Sequence, residues 1–261
     1  MNADTRDFRF GYVSIVGRPN VGKSTLLNQV LGQKVSIVTA KPQTTRQRLA
    51  GIKTTERGQV VYVDTPGIHH SARRALNRYM NRVAKASFRD VDLVMFLVEA
   101  GSWTRQDEYI AKALAAVDVP VVLVLNKIDL VPEKEKLLAF IDEHLRDGAF
   151  ESIMMVSAKN GNGVDELEEH VLHKLPFSRP FYDEDQFTDR SERFLAAEMI
   201  REQLTLRLHQ ELPYALTVQV EEFRRDEDLL TIGAIIWVER ESQKQIAIGK
   251  KGIVLKQVGS K

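Results

Sequence analysis

The chain has 261 residues, 43% of them hydrophobic, with a formal net charge of +1 and no cysteine. That length exceeds what one core ordinarily spans, so two domains are expected. The near-neutral charge sets no global field that would dictate a partner, and the lack of cysteine excludes disulfides and thiolate metal sites and fits a reducing compartment.

The first ten residues are charged and lack the apolar run of a secretory leader. Phe10 to Val16 reads as a strand and Lys23 to Leu31 as a helix. Between them lies Gly17-Arg18-Pro19-Asn20-Val21-Gly22-Lys23-Ser24, followed by Thr25. This is G-x-x-x-x-G-K-S in the strand–loop–helix setting that it requires. Gly17 and Gly22 let the backbone curl so that its N–H groups face phosphate oxygens. Lys23 brings a charge to the β/γ-phosphates, Ser24 offers a hydroxyl to Mg²⁺, and the helix start adds its positive dipole end.

Lys34 to Arg48 is polar, carries Lys41-Pro42-Gln43-Thr44-Thr45-Arg46, and reads as an exposed loop. Leu49 to Thr55 and Gln59 to Asp64 flank the turn Glu56-Arg57-Gly58 and form a hairpin. The second strand ends in Asp64-Thr65-Pro66-Gly67. A carboxylate there, about 40 residues after Ser24, suits the second shell of a Mg²⁺ ion. The Gly67 N–H can hold a γ-phosphate and be lost on hydrolysis, which makes the next segment a switch.

Ala72 to Phe88 has helical period, with Arg73, Arg74, Arg78, Arg82 and Lys85 on a solvated basic face. Asp92 to Val98 reads as a buried strand, Arg105 to Ala116 as a helix, and Val119 to Leu125 as a strand. Asn126-Lys127-Ile128-Asp129 follows. A carboxylate accepts two hydrogen bonds from guanine N1–H and N2–H₂, whereas adenine would leave it desolvated and unpaired, a discrimination of roughly 10⁴-fold. Glu133 to Arg146 is helical, Ser152 to Ser157 a strand, and Val164 to Leu175 a helix. Ser157-Ala158-Lys159 ends the strand, where a backbone N–H could meet the guanine O6. Alternating strands and helices imply an α/β domain, a mostly parallel sheet with helices on both faces and ligands beyond the strands' carboxyl ends.

Pro176 to Asp189 has no helical period and reads as a linker, giving domains at 1–176 and 190–261 joined by 177–189. Ser191 to Leu212 reads as one long amphipathic helix. Tyr214 to Phe223 and Leu229 to Val238 read as strands around an acidic turn, Arg224 to Asp228. Gln243 to Ile248, Gly249-Lys250-Lys251-Gly252 and a helix start at Ile253 complete the order of a type II KH fold, whose G-x-x-G loop clamps single-stranded RNA. Arg240 to Lys261 holds six basic residues against Glu241 alone.

The phosphate loop, Asp64-Thr65-Pro66-Gly67, Asn126-Lys127-Ile128-Asp129 and Ser157-Ala158-Lys159, in that order, resemble the translation-factor-like P-loop GTPases over residues 8–175. With Lys41-Pro42-Gln43-Thr44-Thr45-Arg46, Thr188 to Phe194 and Glu211 to Tyr214, the chain resembles the Era family of GTPases from residue 10 to its end. The resemblance implies a GTP-binding and GTP-hydrolysing switch that binds the 3′ region of 16S ribosomal RNA through a KH domain. It also implies help in small ribosomal subunit assembly and a cytoplasmic location with peripheral inner-membrane contact. Thr44 or Thr45 takes the place of the switch threonine that reaches Mg²⁺ and the γ-phosphate, Thr45 being favoured. Ile68 stands where Ras-like enzymes orient water with Gln, so water is positioned by backbone, a cation or a partner, or hydrolysis is slow. Asn20 resembles the asparagine of GTPases that recruit K⁺, and Arg18 and Arg46 are weaker sources of that charge. Family members continue beyond the nine residues that follow Gly252 here, so the KH domain reads as truncated and weaker RNA binding than a complete homologue is expected. The alternatives are another RNA-modification or ribosome-assembly GTPase, or a scaffold whose last domain binds protein. His69-His70, His170 and His173 lack the partners of a metal site, and Met154, Met155 and Trp103 read as packing.

Overall fold

The computed structural model describes residues 7–39, 46, 48–64, 90–144, 150–208, 212–227 and 229–261. Thr44, Thr45, Thr65, Pro66, Gly67, Ile68, the helix expected over Ala72 to Phe88 and His69-His70 lie outside them. The chain forms two compact units that divide at Asp189 and Arg190, with residues 37–39 grouped in the second.

The first unit is a six-stranded sheet in the order β2-β3-β1-β4-β5-β6. Its strands are β1 (Arg9–Val16), β2 (Leu49–Thr55), β3 (Gly58–Asp64), β4 (Leu93–Glu99), β5 (Val121–Asn126) and β6 (Ser152–Val156). All neighbours are parallel except the β2–β3 hairpin. β3 and β5 are buried at every residue, as continuous apolar strands covered on both faces should be. The helices are α1 (Lys23–Leu31), α2 (Arg105–Leu114), α3 (Lys134–His144) and α4 (Val164–Lys174). Glycines in left-handed conformation bracket α1, Gly22 at φ 101° and Gly32 at φ 67°. Thr104 and Asp107 close a capping box on α2.

The connecting segment 177–189 lies along the hairpin. Gln59, fully buried, donates Nε2–H to Thr54 Oγ1 and to the Tyr182 carbonyl, and its Oε1 accepts from the Phe181 and Tyr182 N–H groups, all at 2.9 Å. Further along, Thr188 Oγ1 donates to the Ala50 carbonyl at 2.8 Å, and Ile52 N–H donates to the Phe187 carbonyl at 2.9 Å.

The second unit contains α5 (Glu192–Arg207), the antiparallel pair β7 (Leu216–Asp226) and β8 (Leu229–Val238), α6 (Glu241–Ile248) and α7 (Ile253–Gly259). The helix expected to reach Leu212 ends at Arg207. Leu208 is extended, with φ −86° and ψ 149°, and Leu212 opens a separate 3₁₀ turn with Pro213. A helix interior cannot hold that proline, whereas a first turn can. The apolar spacing persists because Leu204, Leu208, Leu212, Leu216 and Val258 still converge on one core. β7 also runs on to Asp226, so the connection to β8 is tighter than expected, with Glu227 at φ 49°. Within this unit Val38 N–H donates to the buried Glu202 carboxylate at 2.9 Å.

Candidate functional site

Because β1, β3, β4, β5 and β6 run the same way, their carboxyl ends share one edge of the sheet. Val16, Asp64, Glu99, Asn126 and Val156 are the last residues of those strands. The loop after β1 turns through Asn20 at φ 65° and Gly22 at φ 101°. A Cβ on Gly22 would sit 2.3 Å from Nδ2 of Asn126, so any other residue, already strained at this φ, would have to displace that amide.

Asn126, at 2% exposure, holds three loops at once. Its Nδ2–H donates to the Val21 carbonyl at 2.7 Å, and its Oδ1 accepts from Ala158 N–H at 2.9 Å. Asp129 Oδ1 accepts from Ser157 Oγ at 2.6 Å. The carboxylate expected to read a base is thereby oriented by the next motif, with Lys127 turning the chain at φ 67°. Lys159 is exposed.

Lys23 is buried and donates to the Gly17 and Arg18 carbonyls at 3.0 and 2.9 Å. Burial lowers its ammonium pKa to about 8, although Asp64 acts in the opposite sense. Asp64, fully buried, accepts at Oδ2 from both Ser24 Oγ and Ser36 Oγ, each at 2.9 Å. Ser36 is itself fixed by Asn28 of α1, whose Oδ1 accepts from Val35 and Ser36 N–H and whose Nδ2–H donates to the Ser36 carbonyl. Neither Asn28 nor Ser36 belongs to a motif, and no local pattern marks them.

Arg18 does not wave in solvent. Its Nε–H donates to Asp107 Oδ2 at 3.1 Å and its Nη2–H to Glu99 Oε2 at 3.3 Å. Glu99 Oε2 also accepts from Lys127 Nζ at 2.9 Å. Glu99 and Asp107 belong to none of the sequence motifs.

In the second unit the Gly249–Gly252 loop joins α6 to α7 through left-handed Lys251 at φ 54° and Gly252 at φ 75°, with Lys250 and Lys251 exposed. No group of three His, Cys, Asp or Glu able to hold a metal ion occurs among the described residues. His170 pairs with Ser152 Oγ and His173 with Glu169.

A family model described as "50S ribosome-binding GTPase" matches residues 12–127, and one described as "KH domain" matches residues 211–261. The GTPase Era of Stenotrophomonas maltophilia is 51% identical over 251 residues, covering 96% of this chain and 84% of the relative. The chain belongs to the Era family of GTPases. Within that family, the GTPase Era of Pseudomonas aeruginosa is 50% identical over the same length. A crystal structure of Era in complex with MgGDPNP and nucleotides 1506–1542 of 16S ribosomal RNA superposes with TM-score 0.92 at 39% identity, over 97% of this chain and 86% of that one. A point variant of Aquifex aeolicus Era bound to GDP·AlF₄⁻ gives 0.90 at 38% identity, with the same coverage. The fold is thus a P-loop GTPase domain followed by a KH domain, and the chain is a GTPase. Among the described residues no helix is long and apolar enough to cross a membrane.

Proposed function

We propose that the chain is a GTP-driven switch whose KH domain binds the 3′ region of 16S ribosomal RNA and assists assembly of the small subunit. The observation that carries the nucleotide part is the double hydrogen bond of Asn126, which joins the phosphate loop, the base-reading loop and the Ser157–Lys159 loop. In this reading Gly17 to Thr25 cradle the phosphates, Lys23 neutralises the β/γ-oxygens, and Asp129 accepts from the guanine edge while the Ala158–Lys159 backbone meets O6. The RNA part is supported by the family relative bound to 16S RNA and by the lysines on the Gly249–Gly252 loop. The broader family label names the 50S subunit; the relative alike over both domains carries small-subunit RNA, and that favours the small subunit.

The site suits Mg²⁺. A fully buried carboxylate, Asp64, already gathers the hydroxyl of Ser24, and a hard cation prefers oxygen donors of this kind. Ser24, with Thr45, would hold the ion, and Asp64 would stand behind it. Bound there, Mg²⁺ neutralises charge building on the phosphates.

Guanine reading is tested by titrating GTP, ATP and XTP against wild type and Asp129→Asn. The substitution should turn preference from guanine to xanthine; a variant that still favours guanine refutes the assignment. K⁺ stimulation through Asn20 predicts faster turnover in KCl than in NaCl, and equal turnover removes it. Peripheral membrane contact rests on family resemblance alone, and flotation with anionic vesicles tests it.

A further inference from the structure

Two carboxylates outside every nucleotide motif hold the cations of two of them. Glu99 ends β4, beside Asn126 in register on β5, and one of its oxygens accepts from both Arg18 and Lys127. Asp107, fully buried in the first turn of α2, accepts from Nε–H of the same guanidinium. The same Asp107 oxygen accepts from Thr104 N–H at 3.0 Å and Thr104 Oγ1 at 2.7 Å, so the helix cap fixes the carboxylate before the arginine meets it. Arg18 contributes a second link through its own carbonyl, which accepts from Lys23 Nζ.

We infer that Glu99 and Asp107 are positioning residues that rivet the phosphate loop, through Arg18, to the base-reading loop, through Lys127. The assembly holds two positive and two negative side chains, so it adds no net charge beside the phosphates. It sets the spacing between the phosphate and base subsites. Arg18, spoken for by two carboxylates, is a strut and not a source of charge for the γ-phosphate. A loosened strut should show in how long nucleotide stays bound, because ground state and transition state use the same spacing. Uniform binding of that sort moves KM and leaves kcat alone.

This inference rests on the proposed nucleotide site, so the experiment separates the two. Release of a fluorescent GDP and steady-state GTP turnover are measured for Glu99→Gln, Asp107→Asn, Thr104→Ala and Asp129→Asn. Hydrogen bonds between charged groups are strong enough that losing one should speed release and raise KM on the order of tenfold. Glu99→Gln and Asp107→Asn should both do so, with kcat at saturating GTP within about twofold of wild type. Thr104→Ala removes one of the two Thr104 hydrogen bonds that hold the Asp107 carboxylate but leaves the carboxylate itself beside Arg18, so it should speed release by less than Asp107→Asn does. The rivet is overturned if Glu99→Gln releases GDP at the wild-type rate. It is equally overturned if kcat falls while KM holds, or if Thr104→Ala speeds release as much as Asp107→Asn. If Asp129→Asn still prefers guanine, the site assignment itself has failed.

Discussion

Glu99 accepts two cations on one oxygen. Burial alone would raise its carboxyl pKa, but Lys127 and Arg18 more than reverse this and hold it below the ordinary carboxylate value. A carboxylate depressed in the folded state stabilises fully above its unfolded pKa and loses that contribution as pH falls through the folded one. The stability gap between wild type and Glu99→Gln should therefore be widest near neutrality and close in acid, as measured by denaturant melts across pH. A gap that stays constant would mean that Glu99 acts without its charge. Residues of this kind explain what a linear reading misses. Gly22, Lys23, Asn126 and Asp129 stand out in the sequence because the proposed phosphate and base chemistry calls for those types at fixed spacing. Glu99 meets a partner 81 residues away, and Asp107 one 89 away, so no local pattern betrays them.

At the scale of elements, α1 was readable to the residue because glycines end it on both sides, each in a conformation that other residues avoid. The end of α5 was not, since Leu208 and Leu212 keep the apolar rhythm after the helix has stopped. The 177–189 segment was legible as irregular, but its attachment was not: the Gln59 amide holds it at Phe181 and Tyr182 by three hydrogen bonds, and Thr188 and Phe187 bind the hairpin further along. Gln59→Leu fits the apolar surroundings yet leaves two N–H groups and a carbonyl of that segment without their partner. We expect a loss of about 3 kcal/mol in denaturant melts and faster proteolysis within residues 177–189. A loss below about 1 kcal/mol would show that water replaces the amide without penalty.

Across the whole molecule, the two-domain plan was visible in the change from βα alternation to a helix followed by paired strands. Lys250 and Lys251 stand exposed on the loop between α6 and α7. If both contact RNA phosphates, replacing them by alanine should weaken binding of a 16S 3′-end oligonucleotide. The slope of log affinity against log salt should flatten by about 1.4, since each single-strand phosphate contact contributes about 0.7. Filter binding at several salt concentrations reads this, and an unchanged slope would assign the loop another role. The seam along the hairpin has a practical consequence for anyone isolating the catalytic half. A gene fragment cut where the helical rhythm fades, behind Leu175, would strip the cover from Ala50, Ile52 and Gln59 and leave sheet edge and core amide facing solvent. The shortest piece that should stay soluble by itself runs to Asp189.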